Sequence, residues 1–222
     1  MTRTQLRSLI RKRLGETTAA FWSDPELNDW INDAGHEVAW MTKCIKRKGY
    51  MTPTEDTSEY SLSSISSTLL SLDKVYYYQN AQSWMELIPT NKDDLDMLDS
   101  GWLNAQSGTP TKFYWDKEQD VFVLYVPPDS TNAGVNYCQV YYADDFTEIT
   151  LDAPEIAGIP ESLQRAMADF VAAYGFETRG YGEKSNNAWS QFLARIRNYQ
   201  SVRNDEKDTT GEDIVMKNYR NT

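Results

Sequence analysis

The spacing of apolar residues changes twice along this chain, and that change limits the folds open to it. Up to about Lys48, and again after Asp152, apolar side chains recur every three or four positions. Between those points they recur every second position, among β-branched and aromatic residues. The first spacing lays a stripe along a helix; the second covers one face of a strand. The chain therefore reads as an α+β protein. Two N-terminal and two C-terminal helices form a helical bundle (1–50 and 153–200), with an antiparallel β-rich insertion (51–152) and an extended C-terminal arm (201–222).

The first helix is expected over residues 3–14, with Leu6, Leu9, Ile10 and Leu14 on one side and Arg3, Arg7, Arg11 and Lys12 mostly on others. Gly15 ends it. A second helix begins where Ser23 and Glu26 have capping-box spacing; Asp24 is an alternative cap, with Pro25 at the first helical position. Leu27, Trp30, Ile31, Ala34, Val38, Met41 and Ile45 carry its stripe to about Lys48 and mark it as the central strut of the bundle, with Trp30 and Ile31 inside. Lys43, Lys46, Arg47 and Lys48 then lie at its C-terminus, where the helix dipole favours cations.

Strands are expected at 59–62, 71–79, 83–88, 111–116, 121–126 and 136–143, with hairpin turns at 80–82 and 117–120. Thr90 is the expected cap of a short helix, NKDDLDMLD. Beyond Pro160, Leu163, Ala166, Met167, Phe170, Val171 and Tyr174 form a third long stripe. Trp189, Phe192, Leu193, Ile196 and Tyr199 form a fourth over about 185–200. Neither helical pair has enough apolar surface to stand alone, so the pairs should pack together. From residue 201 the periodicity is lost; many charges surround one apolar knot, Ile214-Val215-Met216, and such a tail should be mobile in isolation.

Composition narrows the function. With 222 residues the chain can bury a substantial core. It has 33 Asp+Glu against 22 Lys+Arg, a net charge of -11. A free-standing nucleic-acid binder normally has the opposite sign, and an anionic membrane surface is disfavoured too. No apolar run reaches membrane-spanning length, and the basic start lacks the apolar core of a secretory signal. The 14 Tyr and 7 Trp suit surfaces that are partly apolar and partly wet. Cys44 and Cys138 are far apart and read as reduced, small core residues.

The chemical inventory is poor. His36 is the one histidine, with no nucleophile elbow beside it. Asp93, Asp94, Asp96 and Asp99 lack an EF-hand pattern and fit a solvated helix face. Asp144-Asp145 reads as a turn, since glycoside hydrolysis needs two carboxyls about 5 to 9 Å apart across a cleft. Gly180-Tyr181-Gly182 is not a phosphate loop. In Tyr76-Tyr77-Tyr78 and Tyr141-Tyr142, alternation sends half of each run into the core; the rest suits stacking on sugars or bases. No catalytic, cofactor-binding or metal-binding residue is expected, and a binding or structural role is.

Five segments together carry a resemblance. They are RLGETTAAFWSDPELNDWINDAGHEVA (13–39), EYSL followed by LLSLDKVYY (59–77), LDSGWLNAQSGTPTKFYWD (98–116), VLYVPPD (123–129) and IPESLQRAMADFVAAYGFE (159–177). Their order resembles the head–tail connector (adaptor, or neck) proteins of tailed bacteriophages. The resemblance implies a helical-bundle fold and a homo-oligomeric ring, usually of twelve copies, docked beneath the portal protein. The ring extends the DNA channel and gives the tail or neck proteins a platform. It implies a place in the virion neck after synthesis in the host cytoplasm, and no catalytic residues. The C-terminal segment of such proteins reaches the portal. Here Ile214, Val215, Met216, Tyr219 and Arg220 are the candidate anchors, on the portal or a neighbouring subunit, and Trp40 is a candidate subunit contact. Genomic DNA would slide through an acidic lumen without specific binding. The alternatives are a tail terminator or minor tail protein, and a virion-associated glycan hydrolase.

Overall fold

The computed structural model describes residues 1–16, 21–79, 82–98, 101–102 and 105–209, with side chains of the last helix to Arg203. Five α-helices and eight strands lie among them, an α+β fold. The contacts divide it into two compact units, residues 1–45 with 145–222, and residues 46–144.

The first unit is a helical bundle. α1 (Arg3–Leu14) starts at a full capping box, with Thr2 accepting from Gln5 N and Gln5 Oε1 accepting from Thr2 N. It stops at Gly15, whose φ of 74° suits glycine best. Leu6, Ile10 and Leu14 are buried. α2 (Asp24–Thr42) is capped by Ser23, whose hydroxyl accepts from Glu26 N at 3.3 Å, and Pro25 lies in its first turn. Ile31 is buried, whereas Trp30 is only half-buried, 6.3 Å from the ring of Tyr174.

α2 does not reach Lys48. It ends at Thr42, with Lys43 at φ 51° as its left-handed cap, and Lys46–Met51 forms β1 instead. Of the cationic cluster only Lys43 is at the helix end; Lys46, Arg47 and Lys48 lie on the strand. A six-residue ladder with a distant strand outweighs local helix preference here. Ile45, the last apolar residue of the stripe, is buried although it lies beyond the helix.

α4 (Glu161–Thr178) takes the central place expected of α2. Residues 166–173 are buried without interruption, as befits a helix surrounded by others. It packs on α1, α2 and the last helix. Its small residues permit close approach: a Cβ on Gly175 would lie 2.7 Å from Leu14 Cδ2. α5 (Gly182–Thr209) buries Phe192 and Ile196, and Trp189 meets Phe170 at 5.0 Å. It continues nine residues beyond Gln200, into the stretch expected to be an arm. Polar docking accounts for this. Gln200 Nε2 donates to Met41 O at 3.0 Å, and Arg203 Nη1 donates to Thr42 O at 3.0 Å and Lys43 O at 3.3 Å. These bonds satisfy the carbonyls that a helix end leaves open, and no apolar stripe is needed for them. No helix among the described residues is long and apolar enough to cross a membrane.

The second unit is a sandwich of two four-stranded sheets. One sheet is built from β1, β8 (Cys138–Asp144), β3 (Leu69–Gln79) and β4 (Ser83–Glu86), in that order. The other is β2 (Glu59–Tyr60), β7 (Val121–Tyr125), β6 (Lys112–Asp116) and β5 (Ile88–Pro89). All pairs are antiparallel except β5 with β6. The strand expected at 83–88 is broken at buried Leu87, where the chain passes from one sheet to the other. The strand expected at 59–62 pairs only at Glu59 and Tyr60; Leu62–Ser64 turns into a short 3-10 helix. Val75, Tyr77, Val140 and Tyr142 from one sheet and Phe113, Phe122 and Leu124 from the other share one core. α3 (Lys92–Leu98) is capped by Asn91, not Thr90: Asp94 N donates to Asn91 Oδ1 at 2.7 Å. Its one buried residue, Leu95, packs with Trp102 and Val123.

Candidate interaction surfaces

Most of the described candidate chemical groups are engaged in structural contacts. His36, half-buried on α2, meets Asp145 Oδ2 through Nδ1 at 3.0 Å and sits edge-on to Phe146 at 5.7 Å. Asp144 is 5 % exposed and takes Ser66 Oγ at 2.7 Å, Thr68 Oγ1 at 2.8 Å and Arg47 Nε at 3.0 Å. The adjacent carboxylates thus serve different partners, and Asp144 ties down the end of β8. Asp93, Asp94 and Asp96 are exposed on α3, and Asp96 accepts from Trp102 Nε1 at 2.7 Å. Asp99 lies outside the described residues, among which no three His, Cys, Asp or Glu side chains are grouped to hold a metal. Gly180, at φ 73°, closes the turn from α4 to α5, where Tyr181 N donates to Phe176 O at 2.9 Å. Cys138 is a buried thiol, and burial pushes its pKa up.

Two charged networks escaped the reading of the stripes. Arg3, Arg7 and Arg11 step by four along α1 and therefore share a face. Arg3 Nε binds Asp152 Oδ1 at 2.7 Å, and Arg3 Nη1 and Nη2 bind the carbonyls of Ile149 and Thr150. Arg7 Nη2 binds Asp152 Oδ2 at 3.2 Å. Hydrogen bonds from Arg7 and then Arg3 hold the Asp152 carboxyl below the ordinary aspartate range. Arg3 and Arg11 are buried, contrary to the expectation that they lie away from the apolar side. In the second network, Asp169 (2 % exposed) sits on α4 between Arg13 at 2.5 Å and Arg195 at 2.7 Å. The four-residue arginine spacing is the available signal for the first network; Asp152 itself is remote in sequence.

Several large apolar side chains are also exposed. Trp40 is 59 % exposed on α2, with Lys43 Nζ 5.5 Å from its ring centre. The outer face of the sheet containing β8 carries Tyr50, Tyr76, Tyr78, Trp84 and Tyr141, because each alternates with a core residue. Tyr76 and Tyr141 meet edge to face at 5.7 Å, and Tyr78 and Trp84 at 5.1 Å. A shallow depression of about 490 Å³ is lined by Lys74, Tyr76, Trp84, Gln139 and Tyr141. Lys48 donates to the Tyr50 phenol, which lowers the pKa of that phenol and raises that of the lysine. Ile214, Val215, Met216, Tyr219 and Arg220 lie outside the described residues.

The described residues form a helical bundle and a β-sandwich with ion-paired polar clusters and exposed aromatic side chains. Residues 1–214 match the family model of the SU10 adaptor protein, and the chain belongs to that family of phage head–tail adaptors. A search of curated proteins found no match.

Proposed function

We propose that this chain forms the homo-oligomeric ring, of twelve copies, that docks on the portal at the capsid vertex. The ring extends the DNA channel and carries the tail or neck proteins. The observation that supports this most is the family match over residues 1–214, which takes in the bundle, the sandwich and all but the last residues. Attachment to the portal falls to the C-terminal segment, with Ile214, Val215, Met216, Tyr219 and Arg220 as anchors. Trp40 serves a subunit contact. The net charge of -11 suits a lumen through which phosphate slides without sticking. The sandwich is an insertion in the helical frame, and the role is mechanical, with no bond-breaking step.

The test is electron microscopy of the purified full chain mixed with portal. Closed rings seated on the narrow end of the portal are expected. Monomers that leave the portal bare, or that decorate a distal tail tube instead, would overturn the reading.

A further inference from the structure

The two outer sides of the sandwich are complementary to each other. Lys48, Lys74, Tyr76, Trp84 and Tyr141 stand on the outer side of the sheet containing β8. Trp84 is 46 % exposed and Tyr141 37 %. An antiparallel sheet face turned to water ordinarily carries polar side chains, so this concentration of rings marks a contact surface. It carries lysines as well as rings: Lys48 and Lys74 lie among them, Lys74 with Glu86 at 3.6 Å.

The opposite outer side carries α3. Leu95 anchors it on Val123 and Tyr114, residues that alternate with the core positions Phe122, Leu124 and Phe113 and so point the other way. Around that anchor the surface is apolar and carries Asp93 and Asp94, with Lys92 and Lys112 at its edge. Asp93 and Asp94 are exposed, Met97 is 88 % exposed and Leu98 59 %. Ile88 of β5, paired with outward Lys112, adds a side chain that is 60 % exposed. Removing such apolar groups from water is favourable in proportion to the area covered, which favours a cover.

We infer that these two surfaces bind each other between neighbouring copies of this chain. The α3 side of one sandwich seats on the lysine–aromatic side of the next. Met97, Leu98 and Ile88 cover the rings, and Asp93 and Asp94 face Lys48 and Lys74. Because the two surfaces look in opposite directions, the contact is head-to-tail, the type that closes into a ring when the rotation per copy allows it. The inference rests on the ring reading above and deepens it by assigning the sandwich a share of the subunit interface.

Charge reversal tests this in the full chain, by sedimentation and electron microscopy, alone and with portal. Lys48→Glu with Lys74→Glu, or Asp93→Lys with Asp94→Lys, should each weaken ring assembly about tenfold or more, since like charges then face each other. The four changes in one chain should restore it. Met97→Ala, at a side chain too exposed to matter for folding, should weaken assembly while leaving the circular dichroism and melting temperature unchanged. Rings that persist in both reversed pairs would overturn the inference and leave the ring reading standing. So would a folded fourfold variant that stays monomeric, or reversals that spare the ring but abolish binding of another virion protein. A wild-type chain that forms no ring on the portal would instead remove the ring reading, and this inference with it.

Discussion

Arg11 and Glu16 form an ion pair at 2.8 Å with less than a tenth of either side chain exposed. Arg11 Nη2 also binds Trp22 O at 3.0 Å and Asp24 Oδ1 at 2.6 Å, and Glu16 accepts from Phe21 N. The link from α1 to α2 is thereby tied at both ends to one guanidinium. Removing one member of a buried pair strands the other charge, which costs about 3–5 kcal/mol. Glu16→Gln should approach the lower end of that range in urea unfolding, because Arg11 keeps Asp24. Arg11→Met combined with Glu16→Leu should cost less than Glu16→Gln alone. An unchanged midpoint for Glu16→Gln would show that the pair does not hold the link.

Gly35 lies inside α2, where alanine would ordinarily stabilise a helix by about 1 kcal/mol. Here an added Cβ would come within 2.3 Å of the Phe146 ring. Overpacking of that kind costs about 1–3 kcal/mol, so the clash should win. Gly35→Ala should lower the melting temperature, and adding Phe146→Leu should recover part of the loss. A rise in melting temperature for Gly35→Ala alone would mean that Phe146 moves aside freely.

Asp152 gives the bundle an acid-sensitive clamp. Its folded pKa lies below the unfolded value of about 4, so its contribution is present above that value and fades as pH falls through the folded one. The melting-temperature gap between wild type and Asp152→Asn should therefore be widest near neutral pH and shrink below about pH 4. A gap that does not narrow in acid would mean that Arg3 and Arg7 do not act through this carboxylate.

Truncation after Thr209 keeps every described residue of α5 and removes the proposed anchors. The shortened chain should unfold at the wild-type midpoint yet lose portal attachment, read by co-sedimentation. Normal attachment would assign the docking to another surface.

Local signals were legible in the sequence and distant ones were not. Ser23, Gly15 and Pro160 mark helix ends through bonds or backbone limits within a few residues, and they lie where the pattern placed them. The end of α2 was misread because Lys46–Met51 becomes a strand only through pairing with Cys138–Ala143, nearly a hundred residues away. The length of α5 was missed for a related reason: Gln200 and Arg203 dock on carbonyls of α2, and polar docking leaves no apolar period. The buried side of the α1 arginines is not visible from the stripe because Asp152, the partner of Arg3 and Arg7, is remote in sequence. Strand alternation did separate Tyr77 and Tyr142, both buried, from outward Tyr76 and Tyr141. It carries no information on what the outward rings meet.

The register of β1 on β8 places Lys46 opposite Ala143. Antiparallel partners lie about 5 Å apart, so the first and last residues of the sandwich leave through one narrow doorway. A short turn across that doorway would splice the bundle into a continuous chain, and an unrelated cassette with closely spaced ends would graft there equally well.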